Sequence, residues 1–204
     1  MGYEDQKEVR RDTSCPAFPY LCAMFTNHPD FHFFVYSEEL LALVKAANET
    51  SVFLETFSGE DGKAFVSLAV RHLADVYAAM LRVRDTEPVY ETSGDPVVTE
   101  QDWSALFQRI ARLLGAHNEI LRPAGEEEFD RSELVAHSIS EDLADVYQEL
   151  RDFTSIYSRG MEELMNDAAW ELKEHFAEHW GAKLLRSLSA LHELYVSGID
   201  PTEE

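Results

Sequence analysis

The sequence predicts an all-α protein: a bundle of about six helices behind an irregular, aromatic-rich N-terminal arm. Three observations carry that expectation. From residue 37 onward, every strongly patterned stretch repeats its apolar residues at steps of three and four, the spacing of one helix face. The stretches are separated by short runs of Gly, Pro and acidic residues. No stretch alternates apolar and polar residues in a way that argues for a sheet. The chain therefore divides into an arm (1–36), a helical domain (37–198) and a short acidic tail (199–204).

Ser37 is the expected N-cap of the opening helix, and Glu38 and Glu39 suit the positive end of its dipole. Leu40, Val44, Ala47, Ser51 and Leu54 then share one face. Ser58-Gly59-Glu60-Asp61-Gly62 makes the turn. The second helix is expected over about 63–83, striped by Phe65, Leu68, Leu73, Val76, Tyr77, Met80 and Leu81. Pro88, Gly94 and Pro96 mark 84–98 as a loop. Thr99 to Asp102 resembles a capping box with Asp in place of the usual Glu or Gln. It opens a third helix carrying Trp103, Leu106, Phe107, Ile110, Leu113 and Leu114, which Gly115 closes.

Residues 122–131 read as an acidic loop. Ser138 to Glu141 reads as a second capping box, opening a fourth helix that runs to Gly160. The fifth is expected over about 161–180 and the sixth over about 183–196, with Gly181 between them. Gly198 and Pro201 end the domain. The arm has neither helical nor strand period, and its Pro and aromatic residues suit an irregular segment packed on the domain. Met24 offers a second place for the chain to start.

Composition narrows the function classes. A chain of 204 residues is long enough to build one core without disulfides or metal. Cys15 and Cys22, the two cysteines, are too few for a zinc site and read as reduced thiols. Gln6 stands where an acylation signal after Met1-Gly2 wants Ser or Thr. No apolar run approaches the roughly 20 residues that span a bilayer, and the expected setting is cytoplasmic, with no membrane partner. The 39 acidic against 17 basic side chains give a net charge of −22, and residues 119–204 hold 21 acids against 7 bases. That surface repels nucleic-acid phosphates and attracts basic partners. No nucleophile elbow and no phosphate-binding glycine loop is present.

Ser140, Glu141, Asp142, Asp145 and Tyr147, then Asn166, Asp167, Trp170, Glu171, Trp180 and Gly181, carry a family resemblance. Through them residues 138–153 and 161–195 resemble a bacterial family known as a domain of unknown function, number five thousand and sixty-three in that series. The likeness weakens over 37–121 and is absent from 1–36. It implies a helical fold and a bacterial cytoplasmic setting, and it implies no activity.

Two constellations stand out as candidate sites. Glu141, Asp145, Glu149 and Asp152 recur at helical spacing, and with Glu171 they form a candidate carboxylate set for Mg²⁺, as in all-α nucleotide pyrophosphohydrolases. At about 100° per residue the four acids of that helix centre roughly 140° from its stripe of Leu143, Tyr147, Leu150, Phe153 and Tyr157, so they are expected on a solvated face. His175 and His179 follow Glu171 at steps of four, within the apolar sector, and read as packed or boundary residues. Trp170 projects outside that sector beside Glu163, Asn166 and Asp167, a patch that reads either as a second internal contact or as a binding surface. The favoured reading is a non-enzymatic, acidic interaction module without cofactor that binds a basic protein surface. The alternative is a Mg²⁺-dependent nucleotide pyrophosphohydrolase-like hydrolase.

Overall fold

The computed structural model describes residues 31–90, 94–123 and 134–202. Its order is α1 (Phe31–Val35), α2 (Glu38–Thr56), α3 (Gly62–Met80), α4 (Glu100–Leu114), β1 (Glu119–Pro123), β2 (Leu134–Ser138), α5 (Ile139–Tyr157), α6 (Glu162–His175) and α7 (Gly181–Ser197). Six of these are long helices, and the protein is an all-α bundle as the periodicity implies. No described helix is long and apolar enough to cross a membrane.

The helix starts follow local chemistry. Ser37 accepts from the Leu40 N–H, Asp61 from that of Ala64, and Thr99 and Asp102 complete a reciprocal capping box. At α5 the serine half of the box forms, with Ser138 accepting from the Glu141 N–H. Inside, α5 lies at the centre and packs on α2, α4, α6 and α7, while α3 packs on α2 and α7. Leu40, Leu43, Phe65, Leu73, Ile110, Leu143, Leu150 and Leu184 are almost wholly buried in one core. Each such side chain contributes about 1.5–3 kcal/mol by leaving water.

Three features depart from the sequence reading. The last six residues of the arm are not irregular: α1 buries Val35, and the Tyr157 hydroxyl donates to the Val35 carbonyl. Residues 1–30, including Cys15, Cys22 and Met24, lie outside the described residues.

The chain on either side of the expected acidic loop forms a strand pair, while residues 124–133 lie outside the described residues. Strands β1 and β2 pair antiparallel from Glu119↔Ser138 to Pro123↔Leu134. Strands of five residues are too short to show a period against a helical background. Tertiary ties hold them instead: Ile120 packs against the core, and Asn118 bonds both the Ser138 hydroxyl and the Ser140 N–H.

Gly181 marks no loop. The chain stays helical from α6 into α7 through a π-helical turn, Phe176–Trp180. Glycine is needed there for closeness, since a Cβ would lie 2.4 Å from the Phe176 carbonyl oxygen. The wider turn rotates the side chains along it and drives Trp180 inward to 1 % exposure, where its indole N–H donates to the Leu172 carbonyl. Trp180→Ala should therefore cost about 3–5 kcal/mol in urea unfolding, the loss expected for a buried aromatic ring. A loss within about 0.5 kcal/mol, typical of open surface, would place the π-turn outside the core.

Candidate functional site

The acids of α5 do not lie on open, hydrated surface. Asp142, adjacent to the apolar stripe, is buried and forms a two-pronged pair with Arg186 of α7, at 2.5 and 2.7 Å. Asp145 accepts from the Trp103 indole N–H of α4 at 2.8 Å and pairs with Lys183 of α7. Glu149 meets the His175 ring of α6 at 3.0 Å. Asp152 accepts the backbone N–H groups of Val97 and Val98. Glu141 alone is exposed. The expectation of a solvated face fails because it measured angles from α5's own stripe, whereas four other helices surround α5.

Asn166 and Asp167 are also inside the fold, both at 0 % exposure. The Asn166 amide accepts from the Thr86 hydroxyl and donates to the Glu87 carbonyl, while the Asp167 carboxylate takes the N–H groups of Val89 and Tyr90. Lys173 continues the same face, donating to the Val83 carbonyl and pairing with Asp85. Trp170 falls between Asn166 and Lys173 on that face and is half-buried, and Glu163 is exposed. The patch read from sequence is thus divided: two members hold the 83–90 segment, and two remain at the surface.

Residues 86–90 are held by α6, and residues 97 and 98 by Asp152 of α5. Between α5 and α6 lies a cleft of about 120 Å³ walled by Gly94 and Pro96, by Glu149 and Asp152 of α5, and by Glu171 and His175 of α6. Phe153, Ile156 and Leu172 supply apolar wall. Gln148 and Glu149 also border an adjoining hollow with His179 and Lys183. His179 is exposed, since the π-turn swings it out of the apolar sector where straight helical spacing put it. Burial raises the Asp152 carboxyl above its ordinary pKa, against the lowering effect of its two N–H donors, and the Glu171 charge adds to the rise. The cleft is short of positive charge.

Three of the five carboxylates named from sequence therefore line one cleft, although no three His, Cys, Asp or Glu groups among the described residues are arranged to hold one metal ion. Sequence reasoning named Asp142 only as a residue of the family resemblance and missed its ion pair, and it missed the Val97 and Val98 donors. Asp142 carried a readable signal, a carboxylate one residue before Leu143 and four before buried Val146, where it requires a cationic partner. The Val97 and Val98 N–H groups left none, because any residue but Pro supplies that donor.

A family model described as a domain of unknown function (DUF5063) matches residues 34–197. The chain belongs to this family. Its match begins inside α1, consistent with the packing of Val35. The crystal structure of protein BF1032 from Bacteroides fragilis is similar, with a TM-score of 0.69 and 27% identity over 79% of this chain and 94% of that one. No curated protein matches the chain.

Asp152 gives a test with a defined sign. A raised carboxyl pKa means that its contribution to stability is fully present below the ordinary carboxylate pKa and is lost as pH rises through the raised value. Asn keeps the oxygen that accepts from Val97 and Val98 but cannot ionise. Asp152→Asn should therefore melt no lower than the parent at pH 7, with any advantage shrinking toward pH 4. A Tm deficit at pH 7 would show that the charge itself stabilises the segment.

Proposed function

We propose that this DUF5063 protein is a non-enzymatic, acidic interaction module that binds a basic surface of another protein. In this reading the cleft between α5 and α6 receives one Lys or Arg side chain, and Trp170 and Glu163 stand on the outer side of α6. The single observation that carries it is the small, carboxylate-lined cleft of about 120 Å³. That volume suits one ammonium or guanidinium head, and it falls well below the roughly 300–1,000 Å³ of sites that enclose small-molecule ligands. The surrounding field has the right sign: four of the seven bases beyond residue 118, Arg151, Lys173, Lys183 and Arg186, are already paired with carboxylates of this chain. The reading needs no cofactor, and a cytoplasmic setting belongs to the same proposal.

A second reading, a Mg²⁺-dependent pyrophosphohydrolase-like enzyme, is favoured by the gathering of Glu149, Asp152 and Glu171 around one cleft. Against it stand the cleft's size and the engagement of Glu149 by His175 and of Asp152 by backbone donors.

The two separate in calorimetry with an Arg- and Lys-containing peptide and, independently, with MgCl₂ and a nucleoside triphosphate. Replacing Glu149 and Glu171 by Gln should weaken peptide binding about ten-fold, a loss of roughly 1.4 kcal/mol. The charge-matched control, Glu38→Gln with Glu39→Gln on α2, should change it less than about two-fold. Equal effects from both variants would reduce the interaction to net charge and sink the cleft. Stoichiometric Mg²⁺ binding with release of pyrophosphate would favour the hydrolase.

A further inference from the structure

A second cavity lies away from the cleft and has the opposite character. We propose that it is a binding site for a small molecule bearing an oxyanion, a phosphate ester or a carboxylate, held by Arg109 and Arg112 of α4. It measures about 630 Å³ and lies among the 58–60 turn, the last turns of α4 and the C-terminal turn at Thr202. That volume is within the range of small-molecule sites.

The two arginines are three residues apart and so share a face of α4. Both are fixed by backbone oxygens rather than by acids. Arg109 donates to the Leu54 and Glu55 carbonyls, and the Arg112 Nε donates to the Gln108 carbonyl at 3.3 Å. Arg151, Lys173, Lys183 and Arg186 are each paired with a carboxylate, whereas no ion pair among the described residues engages Arg109 or Arg112. Glu60 is the one acid in the wall, and it forms no described ion pair with either.

Arg112, held through its Nε, has both terminal nitrogens available to meet two oxygens of a phosphate or carboxylate, while Arg109 spends one N–H of each terminal nitrogen on the carbonyls and retains the other. Ser58 adds a hydroxyl to the wall, and Leu113 adds apolar surface. The net charge of −22 repels long polyanions, so the ligand is a small molecule rather than a nucleic acid. None of these residues borders the α5–α6 cleft, and the inference stands independently of the function proposed there.

The test is a ¹⁵N-resolved NMR titration of the full chain with inorganic phosphate and, separately, with succinate, at ionic strength held constant with sodium chloride. Saturable shifts should be confined to the amides of 58–60, 109–113 and 200–202. They should weaken about ten-fold in Arg112→Gln, an exposed position whose replacement should leave the melt unchanged. Saturation by phosphate alone assigns a phosphate ester, by succinate alone a carboxylate, and by both the shared oxyanion chemistry. Shifts that are diffuse and linear for both probes, or that survive Arg112→Gln undiminished, would overturn the site.

Discussion

The architecture depends on the enclosure of α5. With α2, α4, α6 and α7 packed around it, α5 has almost no side that faces water, yet it carries Asp142, Asp145, Glu149, Asp152 and Tyr147. Each polar group that leaves water must be paired or it destabilises the fold. The pairing is distributed: Asp142 fastens α7, Asp145 fastens α4 and α7, Glu149 meets α6, and Asp152 fastens the 97–98 link. The Tyr147 hydroxyl reaches Glu55 of α2, which Arg151 also engages, and burial together with that carboxylate pushes the tyrosine up to about 12. Apolar packing supplies most of the stability. The polar ties join α5 to each neighbouring helix at defined positions.

The same arrangement explains what the sequence disclosed. Helix class, the number of long helices and several of their starts were legible because caps and 3.6-residue stripes are local: Ser37, Thr99 and Ser138 act within three residues of themselves. The fate of the acids was not local. A carboxylate opposite a helix's own stripe reads as hydrated, and only the positions of Lys183, Arg186, His175 and the Val97–Val98 backbone show otherwise. The π-turn was hidden for a related reason. Continuing straight helical spacing through 176–180 placed His179 with the apolar sector, and one wider turn moved it out while burying Trp180. The paired strands were too short to register, and α1 depends on contacts with α6 and Tyr157 that no window around Phe31 contains.

Charge pairing also shapes the surface on which function is proposed. Arg151, Lys173, Lys183 and Arg186 of α5 to α7 are each paired with a carboxylate, and the α5–α6 cleft is lined by acids without a Lys or Arg. On α4, backbone carbonyls take the place of acids as partners for Arg109 and Arg112, and one cavity retains positive character. A molecule with a net charge of −22 therefore presents two concave sites of opposite sign.

The central claim is that the α5 acids are fasteners and not hydrated surface. Its most direct test is a double-mutant cycle on Asp142 and Arg186, whose side chains are 5% and 22% exposed, measured by urea unfolding. Removing Asp142 alone, as Asp142→Ala, leaves a partly buried guanidinium unpaired and should cost about 3 kcal/mol or more. Adding Arg186→Ala should then cost less than the sum of the two single losses, by about 1–3 kcal/mol. Single losses within about 0.5 kcal/mol that simply add, as at open surface positions, would contradict it.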